Sequence, residues 1–133
     1  MAIDKLLTNN PQAARRYGAI WDVEFKEAAA IDVLVQARDY IHRGHRLLTH
    51  PLASSIPHKD SPYKSVLVSG DSDVLDFESL RNIESAIGRY SQIGAISFDI
   101  PQSIALDFMM VDCEMLYRNT GNTNIMHKKE GML

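Results

Sequence analysis

The chain has 133 residues, of which 45% are hydrophobic and 23% charged, and its net charge at pH 7 is −3. This balance is typical of one globular domain and unlike that of a disordered chain. The acidic charge argues against a nucleic-acid partner and against an anionic membrane, since both attract basic surfaces. A single cysteine, and the lack of a signal-peptide or membrane-span pattern, favour a cytoplasmic protein.

The first half of the chain predicts two strands and two helices in alternation. Residues 5–8 form the first strand, and Pro11 suits the first turn of a short helix that follows it. Residues 21–26 alternate apolar and charged side chains, which is typical of a strand near the edge of a sheet. A longer helix then ends before Gly44. Its apolar stripe consists of Ala30, Leu34, Ala37 and Ile41.

The second half predicts further strands at residues 47–49 and 65–69, the latter apolar enough to be central, and a weaker pattern at 95–98 suggests a fifth strand. Because strands alternate with helices, we expect an α/β fold with a three-layer, mainly parallel sheet of four or five short strands and flanking helices. Residues 1–118 then make a single α/β domain, and residues 119–133 a polar, mobile C-terminal tail.

Two more helices are predicted in this half. Asp73 or Asp76 caps the first of them, which ends at Gly94, and Pro101 opens the second. The last helix has two apolar stripes, and we expect both to be covered, the second by another copy of the chain in a homodimer. Cys113 within it is expected to be a small buried hydrophobe. The stripes are Ile104, Phe108, Val111 and Met115, and Leu106, Met109, Met110, Cys113 and Leu116.

Polar loops follow three of the predicted strands, at residues 8–11, 49–55 and 69–73. Ligands of parallel sheets bind beyond the carboxyl ends of the strands, so these loops should meet at one edge. The candidate ligand-binding residues are Asn9, Asn10, His50, Ser54, Ser55, Lys59, Lys64, Ser69, Gly70 and Asp71.

Local charge indicates what kind of ligand this site would take. Between residues 43 and 64, four basic side chains (Arg43, Arg46, Lys59 and Lys64) stand against the single acid Asp60. Such an excess favours a small anion, and a solvated loop held by its turn prolines is an equally open interpretation. No P-loop, dinucleotide fingerprint or nucleophile elbow is present, and we expect no cofactor.

Histidines between residues 42 and 58 raise two chemical alternatives. His50 and His58 could share a metal ion through the loop, although we expect no metal site. His50 could also act as a general base, alone or in a hydrolase triad with a serine and Asp71 or Asp73.

Four strings of residues resemble those of one known family: TNNP at 8–11, GHRLLTHPL at 44–52, SPYKS at 61–65 and DFMMVD at 107–112. This is the GrdX family of small proteins encoded beside the glycine, sarcosine and betaine reductase complexes. The resemblance reaches from the first strand to the last helix. It implies reductase subunits as partners and carries over no catalytic residues.

These observations lead to three hypotheses. The first is a non-catalytic accessory protein that binds a small anionic metabolite or a partner subunit at the carboxyl edge of the sheet. The second is a small enzyme that uses His50 as a general base on a phosphorylated or acylated substrate. The third is an interaction module that binds through its apolar last helix.

Overall fold

A computed structural model of the chain describes residues 2–51 and 61–120. In those residues it has three strands and four helices, which confirms the predicted mixture of α and β structure. In chain order they are β1 (Lys5–Thr8), α1 (Pro11–Tyr17), β2 (Asp22–Phe25), α2 (Ala30–His42), β3 (Ser65–Val68), α3 (Phe77–Ile93) and α4 (Gln102–Asn119).

The sheet is mixed rather than mainly parallel. Its order is β2-β1-β3, with β1 in the centre, β2 parallel to it and β3 antiparallel to it. The prediction of an edge position for β2 is confirmed, whereas β3 lies at the other edge and not in the centre. A connection between parallel neighbours must cross the sheet, usually as a helix, and α1 makes this crossover between β1 and β2. The chain between α2 and β3 is long enough to reverse its direction, so β3 runs antiparallel to β1.

Two predicted strands are absent from the described part of the chain. Residues 47–49 make a single antiparallel bridge, between Leu47 and Val68. Their ladder is interrupted because the N–H of Leu67 donates to the hydroxyl of Thr49 (3.0 Å), and the N–H of Leu47 to the hydroxyl of Ser79 (2.9 Å). Residues 95–98 are largely exposed and pair with no described strand.

Alternate side chains of the strands divide the core between the two faces of the sheet. Leu6 and Leu67, which are paired across β1 and β3, pack with Tyr17 and with the second half of α4. Leu7, Val66 and Val68 face the other way, toward the buried side chains of α2 and α3. No helix in residues 2–51 and 61–120 is both long and apolar enough to cross a membrane.

Polar caps fix where the helices begin. The side chain of Asn10 accepts from the N–H of Gln12 (3.0 Å) at the start of α1. Asp76, and not Asp73, caps α3 by accepting from the N–H of Ser79 (3.2 Å).

Gly44 follows α2 at a φ of +100°, a conformation that side chains with a Cβ rarely adopt. A Cβ there would also lie 1.9 Å from the carbonyl oxygen of Asp73. We therefore expect Gly44→Ala to lower the free energy of unfolding by at least about 2 kcal/mol, measured by urea denaturation.

Gly88 supplies the matched control, because it lies inside α3 and a Cβ there would meet nothing within 4 Å. Gly88→Ala should raise the free energy of unfolding by about 0.5–1 kcal/mol. Equal stabilities of the two variants would contradict the conformation described for Gly44.

Candidate functional site

Part of the candidate ligand-binding set gathers at one edge of the sheet. Asn9 and Asn10 follow the end of β1, and Lys64 precedes β3 at the same edge because β3 is antiparallel. The N–H of Asn9 donates to the carbonyl of Lys64 over 3.3 Å. The exposed His50 belongs to this edge too, since the Lys64 amine donates to the carbonyl of the adjacent Pro51.

The remaining described candidates lie at the opposite edge. Ser69, Gly70 and Asp71 follow β3 and meet the start of β1, where the N–H of Gly70 donates to Asp4 (3.0 Å) and Asp71 accepts from the N–H of Ala2 (3.2 Å). The expectation that all the loops share one edge is therefore wrong, because it took β3 to be parallel. Ser54, Ser55 and Lys59 lie outside the described residues.

The same reversal separates the members of the triad hypothesis. His50 lies near the start of β3, whereas Asp71 and Asp73 follow its end, about 13 Å away along four extended residues. These residues cannot form a hydrolase triad. His58 lies outside the described residues, and within 2–51 and 61–120 no three histidine, cysteine or acidic side chains are grouped to hold a metal.

Asn9 uses its amide to hold the segment that leads into β3. Its side-chain oxygen accepts from the N–H of Lys64 (2.7 Å), and its amide nitrogen donates to the carbonyls of Ala28 (2.9 Å) and Pro62 (2.8 Å). Both donors and the acceptor are engaged within the protein, so Asn9 positions Lys64.

Asn10 joins the first helix to the last. While its oxygen caps α1, its amide nitrogen donates to the carbonyl of Met109 and to the carboxylate of Asp112, both over 2.9 Å. The polar residue after β1 thus fixes α4 against the sheet edge.

Asp112 lies at the centre of a polar cluster in which one carboxylate oxygen accepts from Asn10 and from the hydroxyl of Ser65 (2.6 Å). That hydroxyl lies 2.7 Å from the hydroxyl of Thr8 on the neighbouring strand. The carboxyl group is densely surrounded by protein, although the residue as a whole keeps part of its surface accessible. Burial raises the pKa of Asp112, against the hydrogen bonds from Ser65 and Asn10 and the charge of Lys64.

Lys64 is the buried cation of this edge, with only 6% of its surface exposed. Its amine donates to Pro51 and lies 5.5 Å from the ring centroid of Tyr90, and it forms no ion pair with a described carboxylate. Burial lowers the pKa of Lys64, and the charge of Asp112 acts in the opposite direction. Burial is the larger effect for both groups, so each is shifted toward its neutral form. Shifted groups of this kind are common in functional sites.

The sequence analysis did not single out Asp112 as a site residue, yet a signal was present. Met109, Asp112, Cys113 and Leu116 recur at helical spacing, so the aspartate falls on the stripe predicted to be buried. An acid is rarely buried unless it has partners. Asp112 on an otherwise apolar stripe therefore indicates a buried polar cluster.

Cys113 behaves as the predicted buried hydrophobe. It is 2% exposed, and burial raises the pKa of its thiol to about 11. The reactive thiolate is therefore scarce at neutral pH.

Part of the GHRLLTHPL string is explained by local structure at the opposite edge. The carbonyl of Gly44 accepts from the N–H of Asp73 (3.0 Å), and Nδ1 of His45 lies 2.6 Å from the carbonyl oxygen of Ser69. The ring of His45 also packs edge-on against Tyr40. These contacts join the end of α2 to the end of β3.

An open cavity of about 670 Å³ lies at this second edge. Its lining includes Gly70, Trp21 and the ion pair between Lys5 and Asp22, whose charged atoms are 2.6 Å apart. Because the two charges neutralise each other, the cavity offers little attraction to an anion.

A different surface is provided by the first half of α4. Ile104, Leu106 and Met110 expose 42%, 45% and 53% of their surfaces, whereas Cys113 and Leu116 in the second half are buried. The helix packs against α1 and β3. The described part of the chain therefore covers the second half of α4 and leaves Ile104, Leu106 and Met110 of the two apolar stripes exposed.

Comparison with known proteins matches one family. The family model of GrdX-like protein covers residues 5–120 of this chain, from β1 to the end of α4. Comparisons with curated proteins and with solved structures find no match.

Removing the carboxylate of Asp112 should destabilise the fold through the donors it leaves behind. Asp112→Ala deprives Asn10 and Ser65 of a buried acceptor, and we expect the free energy of unfolding to fall by roughly 2–4 kcal/mol. Asp112→Asn is the matched control, because its one amide oxygen can accept from both donors, and it should cost less than half as much.

The pH dependence of the stability of these variants separates the effect of the charge of Asp112 from the effect of its hydrogen bonds. Because the pKa of Asp112 is raised in the folded protein, its contribution to stability is complete below the unfolded pKa, near 3.8, and is lost as the pH rises through the folded value. The stability of Asp112→Asn relative to the native protein should therefore improve between pH 4 and pH 7, measured by urea denaturation at each pH. A constant difference would contradict the raised pKa.

Proposed function

Because the chain belongs to the GrdX-like protein family, we propose that it is a non-catalytic accessory protein of the glycine reductase system. In this role it binds a subunit of the reductase complex through the first half of α4. The observation that supports this proposal is the exposure of Ile104, Leu106 and Met110 on a helix whose second half is built into the core.

Packing gives the physical reason for preferring this surface. Leu106 and Met110 are one turn apart on the same side of α4, so they form a continuous apolar strip. Contiguous apolar surface that remains in water is a common feature of protein-binding sites. Association would remove this strip from water and provide the cover that residues 2–51 and 61–120 do not supply.

The proposal is tested with purified subunits of the reductase complex. Met110→Asp should weaken binding to the cognate subunit at least tenfold, because it places a charge within the apolar contact, as measured by biolayer interferometry. Phe77→Asp is the matched control, since Phe77 is 71% exposed on α3, where it begins that helix and tolerates an acid.

Two results would overturn this proposal. One is the absence of binding between the native chain and every subunit. The other is an equal loss of affinity in the Met110→Asp and Phe77→Asp variants.

A second candidate function is the binding of a small anionic metabolite beside Lys64. It is favoured by one observation: the buried amine of Lys64, which donates to the carbonyl of Pro51 while Asn9 holds the backbone of the same residue, forms no ion pair in the described residues. An anion at that position would stabilise the charged form of the amine, which burial otherwise disfavours.

This second function predicts a defined pH dependence. Since burial lowers the pKa of Lys64, the amine loses its charge at a lower pH than an ordinary lysine, and anion affinity should fall as the pH rises through that value. Acetyl phosphate or inorganic phosphate should therefore raise the melting temperature by less as the pH of the measurement rises. Lys64→Met should abolish the shift, and Lys26→Met, at an exposed lysine of the same edge, should not. A shift that survives Lys64→Met would refute this site.

A further inference from the structure

The chain segment that contains the exposed half of α4 carries only negatively charged side chains. Residues 91–117 contain the acids Asp99, Asp107, Asp112 and Glu114 and no lysine, arginine or histidine. Asp112 is held in the polar cluster, and Glu114 pairs with Arg16 of α1 over 2.9 Å. Asp99 and Asp107 are exposed, and neither side chain has a cationic partner among the described residues.

Helical spacing places one of these acids within the apolar surface. Asp107 is three residues after Ile104 and three before Met110, and it directly follows Leu106. Side chains three or four residues apart on a helix are neighbours, so the carboxylate lies between exposed apolar side chains. A partner that covers those side chains must also bring a group that suits the carboxylate.

We propose that the first half of α4 binds an amphipathic helix of a partner protein, whose apolar stripe is flanked by lysine or arginine. This inference rests on the proposed accessory function and specifies the chemistry of the partner. The exposed segment from Gln102 to Met110 is about 13 Å long, a little over two helical turns, which suits the side-by-side packing of two helices. Basic flanks would pair with Asp107 and reduce the free energy needed to desolvate it.

Charge also explains why a second copy of the chain fits this surface poorly. In a dimer with twofold symmetry, the same surface of each copy faces the other. Asp107 would then lie in the same interface as Asp107 of the other copy, with no basic residue between positions 91 and 117 to compensate. Like charges brought together at an interface oppose association.

The inference is tested with two synthetic helical peptides of equal length. Both carry the same leucine and alanine stripe, flanked by lysines in one peptide and by glutamates in the other. Fluorescence anisotropy should show the lysine peptide binding the full chain on the order of tenfold more tightly than the glutamate peptide, with a difference that shrinks in high salt.

Charge-removing variants locate the effect on α4. Asp107→Asn should lower the affinity for the lysine peptide about threefold and should not lower the affinity for the glutamate peptide. Asp39→Asn, at an exposed acid of α2 on the other face of the sheet, is the matched control and should change neither affinity. Met110→Ala should weaken binding of the lysine peptide, because it removes apolar contact.

The possible failures are distinguishable. The proposal of a partner helix with basic flanks would be overturned if the two peptides bound equally, or if Asp39→Asn lowered the affinity for the lysine peptide as much as Asp107→Asn. Neither result would affect the proposal that a reductase subunit binds through α4. Light scattering would also overturn the partner helix if it showed that the native chain is a dimer and that Met110→Ala converts it to a monomer. A second copy of the chain would then occupy the surface. The accessory function itself fails only if reductase subunits do not bind or bind without dependence on Met110.

Discussion

The hydrogen bonds to the Asp112 carboxylate hold the sheet and the last helix together. The carboxylate accepts from Asn10, which lies between β1 and α1 and caps that helix, and from Ser65, the first residue of β3. A single acceptor therefore joins two strands that run in opposite directions to a helix about a hundred positions along the chain from Asn10. Because an unsatisfied buried polar group is costly, these partners stabilise one arrangement of the elements over its competitors.

This polar contact also separates two parts of α4 that have different surroundings. Beyond Asp112, Cys113 and Leu116 belong to the core with Leu6 and Tyr17. Before it, the side chains of Ile104, Leu106 and Met110 remain exposed to water. The buried half anchors the exposed half rigidly, so a partner would meet a preformed helix and lose little conformational entropy in binding it.

Local patterns predicted most elements but not their directions. The periodic stripe of α2 and the alternation of β2 specify helix and strand by side-chain spacing, and both elements appear where expected. Strand direction depends on how the chain returns to the sheet, which no local pattern contains, and this is why β3 was expected to be parallel. At residues 47–49 the pattern of a strand is present, but the hydroxyls of Thr49 and Ser79 take hydrogen bonds that a ladder would need. For the site, Asn9 and Asn10 were predicted because they are polar and follow a strand, and Lys64 because it belongs to a loop with an excess of positive charge. Their common neighbour Asp112 comes from a distant helix and is recognised only when the elements are assembled.

The hydroxyl of Thr49, which interrupts the ladder beside β3, also affects how this protein can associate with other chains. Along the outer side of β3, the N–H of Leu67 is occupied by Thr49, and its carbonyl accepts from the N–H of Leu48 (2.9 Å). The N–H of Ser69, just past the strand, is likewise taken by the carbonyl of Arg46 (2.8 Å). These contacts already use the outward-facing backbone groups of Leu67 and the N–H of Ser69, so a strand from another chain cannot pair with that part of β3, which opposes edge-to-edge aggregation there.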